Sequence, residues 1–333
     1  MLCIYSVIVV YNTVAHSEKK DENGKAYLFC SKYGDRIGGI NISRLASLNQ
    51  FDREGGMVRL IAYMALVLVS PGVLAGLLEK EINVDAFKEI ILEHNFDIQI
   101  QQGESNRVIV KGDQEVVSKL DAEVKEKTLR LAIQYGDNAE LAERLKWMAS
   151  EIKVKIITDG ELDFLKLLGG GDVYFKDVSL NELSVYILGA SDLYMQNVTA
   201  NKIKWALTGA GDVKVNEVMA SDVIIKSTGA GDIGVQSLVS KHIEVVSMGA
   251  GDISVYGDGV SETLQVDLMG AGDVQLKKVA VTEADVSIKG AGDIYLNVDK
   301  KLKASIYGSG DIRFFGEPEL KTTVIGSGSV RPF

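Results

Sequence analysis

From Val173 to Val330 the chain alternates apolar and polar residues in short runs that restart at regular intervals. The runs open on Val173, Leu193, Val213, Ile233, Ile253, Val274, Ile294 and Ile312, with Val330 last. Two residues further on stand Phe175, Met195, Val215, Val235, Val255, Leu276, Leu296 and Phe314. A second run follows (Val178/Leu180, Val198/Ala200, Val218/Ala220, Leu238/Ser240), then a third (Leu183/Val185/Ile187, Ile203/Trp205/Leu207, Val223/Ile225). Period two sends alternate side chains to opposite faces, so these are predicted strands. Three such runs in each repeat predict a coil with three short sides.

The punctuation between coils is a tetrapeptide. Gly-Ala-Gly-Asp stands at 209–212, 229–232, 249–252, 270–273 and 290–293, with variants at 169–172, 189–192, 308–311 and 326–329. Successive first glycines are 20, 20, 20, 20, 21, 20, 18 and 18 residues apart, at the lower edge of the solenoid range. A coil this small cannot bury its inner face alone, but stacked in register its aliphatic columns form one core. Nine turns would extend about 40 Å at the strand spacing of about 4.8 Å. An antiparallel sandwich has no use for identical residues at identical places, so the predicted architecture is a parallel β-solenoid, an all-β fold.

Turn glycines are expected at Gly209, Gly211, Gly229, Gly231, Gly249, Gly251, Gly270, Gly272, Gly290 and Gly292. Two reasons are expected to act together: a bend with positive φ, and a corner with no side chain between stacked coils. The pattern argues against a phosphate-cradling loop, because such loops open a helix, whereas each of these opens a strand. The Asp column (Asp172, Asp192, Asp212, Asp232, Asp252, Asp273, Asp293, Asp311) sets like charges one strand apart. In water that costs about 1 kcal/mol per adjacent pair. Backbone N–H groups at each residue's own corner, or shared cations, must offset it. Asx capping is the expected answer, because Ser329 replaces Asp in the last copy and serine is a poor calcium ligand. Asp212, Asp232, Asp252, Asp273 and Asp293 are the candidate ligands if cations are used instead.

Composition removes most chemistry. Three His and two Cys in 333 residues are too few for the common all-protein zinc sites, and no cofactor is expected. The formal net charge of −10 argues against nucleic acid as a partner. The layout of Met57–Ala75 is that of a secretory signal peptide: a basic start, the apolar run Leu60–Val69, a Pro71-Gly72 break, then Val73 and Ala75 before a cut at Gly76. Residues 1–56, ending in Arg53-Glu54-Gly55-Gly56, are then expected to be an upstream extension produced by mis-assigned translation initiation. Eight basic and six acidic residues precede Gly76, leaving −12 on the remainder, with His94 and His242 but no cysteine. A cysteine-free chain suits an oxidising envelope compartment and excludes a lipoprotein anchor. No later run is long enough to span a membrane as a helix.

The Gly-Ala-Gly-Asp repeats, the closing Gly-Ser-Gly-Ser-Val at 326–330 and an opening segment from Phe87-Lys88-Glu89-Ile90 through Phe96–Gly103 to Val108-Ile109-Val110 resemble the head GIN domain family of bacterial envelope adhesins. The resemblance covers roughly residues 85 to 330. It implies a right-handed, single-stranded parallel β-helix, exported to periplasm, outer-membrane surface or medium, without catalytic activity. The expected organisation is N-terminal coils over 76–160 and the repeat solenoid over 161–333, one continuous domain. Residues 138–152 depart from the family pattern and read as an inserted amphipathic helix (Leu141, Leu145, Met148 and Ile152 on one face, Asn138 as cap), either a lid or a partner-binding element. The chain ends at Phe333, after the last repeat, so no translocating barrel is expected. Three function classes stay open: an adhesive scaffold with an unknown protein or glycan partner or a second copy of itself, a calcium-binding solenoid using the Asp ladder, and a carbohydrate-active β-helix enzyme. The first is the favoured expectation.

Overall fold

A computed structural model describes residues 77–93, 95–133 and 152–333, together with four short strands nearer the N-terminus. Two compact units are present, Met1–Leu74 and Ala75–Phe333. In the first, β1 (Glu18–Lys20) pairs antiparallel with β2 (Ala26–Leu28), and β3 (Arg36–Ile37) with β4 (Ile40–Asn41). The expected signal peptide and most of the expected inserted helix lie outside the described residues. Ile152, at the end of that helix, is buried.

The second unit is a β-solenoid of about eight turns. Its regular part is built by β13 (Val173–Phe175), β14 (Val178–Ile187), β15 (Leu193–Leu207), β16 (Val213–Ser227), β17 (Ile233–Ser247), β18 (Ile253–Val255), β19 (Gly259–Leu268), β20 (Val274–Ile288), β21 (Ile294–Gly308), β22 (Ile312–Phe315), β23 (Glu319–Gly326) and β24 (Val330–Pro332). Strands such as β16 run through all three sides of a coil. Neighbouring coils pair in parallel with equivalent residues opposite each other, as in Val215↔Val235, Val218↔Leu238 and Val223↔Ile243. In β16 the inward positions are Val213, Val215, Val218, Ala220, Val223, Ile225 and Ser227. All seven are buried, so the alternation read from the sequence is the alternation of the core. Each fully buried aliphatic side chain contributes about 1.5–3 kcal/mol. The third run, read from three copies, recurs down to β23, whose inward Leu320 and Val324 stay exposed.

Over its described residues, the region expected to hold N-terminal coils with an inserted helix is a mixed cap. It comprises β5 (Leu77–Asn83), β6 (Glu89–Leu92), β7 (Asp97–Gln102), β8 (Arg107–Asp113), helix α1 (Gln114–Lys119), β9 (Leu120–Lys125), β10 (Thr128–Ile133), β11 (Lys153–Thr158) and β12 (Phe164–Leu167). Strands β6, β7 and β12 join the parallel stack. Strands β5 and β11 flank β8 antiparallel, and β9 pairs antiparallel with β10. The physical reason is that an end coil exposes its apolar interior. Antiparallel hairpins with α1 cover it, burying Val116, Val117 and Leu120. The Asp113 carboxylate caps α1 by accepting from the Glu115 N–H at 2.8 Å.

Candidate binding face

The side of the solenoid that follows the Asp column is one continuous sheet, in the order β5–β8–β11–β7–β13–β15–β16–β17–β18–β20–β21–β22–β24. We call it the first sheet. Its edge is the Asp ladder, and the ladder is wired differently from the expected Asx caps. Each carboxylate accepts the backbone N–H of the next coil's Asp: Asp212 N to Asp192 Oδ1 at 2.8 Å, Asp232 to Asp212 at 3.0 Å, Asp252 to Asp232 at 2.8 Å. The series continues through Asp273, Asp293 and Asp311 at 2.8, 2.9 and 2.7 Å. It ends on Ser329, whose N–H and Oγ–H both donate to Asp311 Oδ1 at 2.9 Å. Each Asp carbonyl in turn accepts from the preceding coil, as in Val213 N to Asp232 O at 2.8 Å. The carboxylates therefore bind coil to coil, which offsets their mutual repulsion with charge-assisted hydrogen bonds. Ser329 holds the Asp311 carboxyl below its ordinary range, chiefly through its hydroxyl.

Asp97 belongs to this column and was missed from the sequence. It precedes Ile98 and Ile100, and its Oδ1 accepts from Asp172 N at 3.3 Å. The signal was the Asp-aliphatic-x-aliphatic spacing; it was hidden because Asn95-Phe96 stand where other coils have Ala-Gly. Among the described residues, the one break in the ladder is between Asp172 and Asp192. That is the corner where Ser191 replaces the second glycine.

The glycines also act for only one of the two expected reasons. Among the repeat glycines only Gly326 has positive φ, so a left-handed bend is not what the corners need. A Cβ on Gly209 would lie 1.7 Å from the carbonyl oxygen of Gly189, and one on Gly231 2.1 Å from that of Gly211. Close stacking of corner on corner excludes the side chain.

Beside the ladder the first sheet carries a groove of about 1120 Å³, reaching from Glu79 and Ile109 to Asp232 and Tyr256. Tyr174 and Tyr194 stack at 5.0 Å, with Lys214 Nζ 5.4 Å from the Tyr194 ring. Each tyrosine donates its hydroxyl to its own coil's aspartate, Tyr194 to Asp192 at 3.1 Å. Burial, with the aspartate adding to it, pushes both hydroxyls above their ordinary pKa. Lys214 also pairs with Asp212 at 3.3 Å, and that hydrogen bond raises its pKa. Gly234 leaves a gap in the outward column that the Tyr256 ring covers, one ring carbon 2.8 Å from where a Cβ would stand. A glycine inside a strand was the sequence signal for this close approach.

A smaller groove of about 650 Å³ crosses the third side of the coils around His242, Glu244 and Asp285. There His242 Nδ1 lies 2.7 Å from Thr263 Oγ1, and Lys301 and Lys303 pair with Glu283 and Asp285. Among the described residues no group of three His, Cys, Asp or Glu side chains is arranged to hold a metal ion. None of the helices there is long and apolar enough to cross a membrane.

The family model described as "Putative auto-transporter adhesin, head GIN domain" matches residues 86–259 and 207–318. The chain belongs to this family. Solved structures with the same fold include a putative adhesin from Parabacteroides distasonis, 22% identical, covering 78% of this chain and 98% of its own, with a TM-score of 0.54. A putative adhesin from Parabacteroides merdae is 21% identical over 77% of this chain and 96% of its own, also at 0.54. A Parabacteroides distasonis protein titled a putative lipid binding protein is 19% identical, covers 78% and 97%, and scores 0.52. None of the curated proteins matches. Membership in this family and the solenoid fold support an adhesin-like role.

Proposed function

We propose that this head GIN domain protein is an exported, non-catalytic adhesive solenoid that holds a partner in the groove of its first sheet. The observation that carries the reading is the groove itself, a broad face combining tyrosine rings, amides and charged side chains of both signs. Export rests on the signal-peptide layout of Met57–Ala75. Among the described residues, no histidine, cysteine, serine or threonine lines the groove. Of its carboxylates, Asp97, Asp212 and Asp232 stand in the one ladder column and Glu79 is paired with Lys111, whereas glycoside hydrolysis needs two facing each other across a sugar.

The test is retention of the purified full chain on bacterial-envelope and epithelial-surface preparations, with N-terminal mass spectrometry of the native protein. The proposal expects saturable binding and a mature terminus at Gly76. Absence of binding to every preparation would refute adhesion, and peptides from residues 1–56 in the mature protein would refute the export scheme. A second reading has one observation behind it. Among the described residues, Asp232, Asp252 and Asp273 each have one carboxylate oxygen engaged in the ladder and no protein partner for the other, which leaves two oxygens from neighbouring coils for a calcium ion between each pair.

A further inference from the structure

We infer that the first-sheet groove takes an oligosaccharide whose leading sugar carries a carboxylate; this rests on the adhesive reading above and names its ligand. The groove is polarised along the stack. At its N-terminal end Lys155 stands opposite Gln99 in register, and Gln99 opposite Tyr174. Lys176 lies two residues beyond Tyr174 on the same face. Among the described residues neither Lys155 nor Lys176 has a carboxylate partner, on a chain whose net charge is −10. By contrast Lys111 and Lys214, in the same groove, are held by Glu79 and Asp212 at 3.5 and 3.3 Å. Lys155 and Lys176 flank β7 from its two sides, with Lys153 beside them on β11; this local cluster suits a ligand bearing one carboxylate, not a polyanion, which the acidic remainder of the solenoid would repel.

The other end of the groove has opposite chemistry. Asp232 keeps a carboxylate oxygen to accept from hydroxyls, the amides of Asn216 and Gln236 border the floor, and Gly234 opens it. Tyr256, 63% exposed, covers that glycine and leaves the rest of its ring to solvent. A sugar ring has an apolar C–H face and a rim of hydroxyls, and an amphipathic tyrosine beside acceptors and amides meets both. From Lys155 to Gly234 is five strand steps, about 24 Å at the usual spacing, room for several linked rings. An acidic peptide is the competing occupant. It is disfavoured because the strands from β11 to β17, which carry the lysines, the tyrosines and Gly234, are each paired on both sides, so none of them offers an edge for β-augmentation.

Calorimetric titration of the full chain tests this with 3′-sialyllactose against lactose, and glucuronate-capped xylotriose against xylotriose. At least one acidic member should bind about tenfold more tightly than its neutral parent. Lys155→Gln with Lys176→Gln should erase that preference, and Tyr256→Ala should weaken both members, with melting temperatures unchanged because all three side chains are on the surface. No binding by any of the four sugars, a preference that survives the lysine changes, or equal affinity for a glutamate tripeptide would each overturn the inference. Should the sugars fail while the chain still adheres to surface preparations, the ligand class falls and the adhesive reading stands. Failure of both removes both.

Discussion

Replacing Gly249 by alanine is a sharp test of corner-on-corner stacking, because two effects of opposite sign compete. In a loop that tolerates a side chain, Gly→Ala stabilises by about 0.4–1 kcal/mol by restricting the unfolded chain. Here the new Cβ would lie 2.0 Å from the Gly229 carbonyl oxygen, where ordinary contact begins at 3.4 Å. The corners must part by more than an ångström. Two bonds span that gap, Ala250 N to Gly229 O at 3.1 Å and Met248 N to Ser227 O at 2.8 Å. Losing both costs about 1 kcal/mol each, more where the orphaned groups stay buried. A net loss of about 2–3 kcal/mol is expected. Gly251→Ala should cost less: Ser191 already occupies the equivalent position, at the corner where a single ladder hydrogen bond is missing. The exposed Ala250→Ser should stay within about 0.5 kcal/mol. Urea unfolding followed by circular dichroism gives the three values. A stabilised Gly249→Ala, or an Ala250→Ser as harmful as either glycine change, would refute the stacking argument.

Other outcomes follow from the same geometry. Val215→Asp, burying a carboxylate with no partner, should cost several kcal/mol in thermal melts; Lys214→Asp should cost about 1 kcal/mol, since it removes the pair with Asp212 and adds a like charge beside the ladder. Ser329→Ala should raise the Asp311 pKa toward the ordinary carboxylate value. Because the folded pKa is depressed, Asp311 stabilises above its unfolded pKa, and that contribution fades as pH falls through the folded value. The variant should therefore lose stability at neutral pH and converge with the parent in acid, which pH-dependent melts will read. Calcium followed by chelator should move the melting temperature by less than about one degree; a saturable shift of several degrees, abolished by Asp232→Asn with Asp252→Asn, would establish the calcium reading.

How much was legible depended on whether a residue was repeated. Inward columns such as Val215/Val235/Val255 could be read directly, because in-register stacking makes each coil present the same residue to the same core. The Asp column was visible for the same reason, but its wiring was not. A carboxylate that caps its own corner and one that reaches the next coil's N–H leave the same sequence, and only the offset between coils separates them. The cap could not be read because it repeats nothing: β8 must run antiparallel to β5 and β11 to close the stack, and α1 is only six residues long. Asp97 was hidden because 74 residues, 98–171, intervene before the chain returns to lay Asp172 beside it. The groove draws on one outward column, Gln99, Tyr174, Tyr194, Lys214 and Gly234, in which only the two tyrosines repeat. Gly234 alone marked the place.

The claim that function resides on the first sheet is tested most directly by perturbing each side of the coil in turn in the full chain. Paired substitutions would be Tyr174→Ala with Lys176→Gln on the first side, Met219→Ser with Val239→Ser on the second, and Glu244→Gln with Lys303→Gln on the third, each scored for retention on the surface preparation that binds the parent. The account predicts that the first pair alone abolishes retention, with all three variants melting near the parent. Retention unaffected by the first pair, or lost equally with all three, would contradict it.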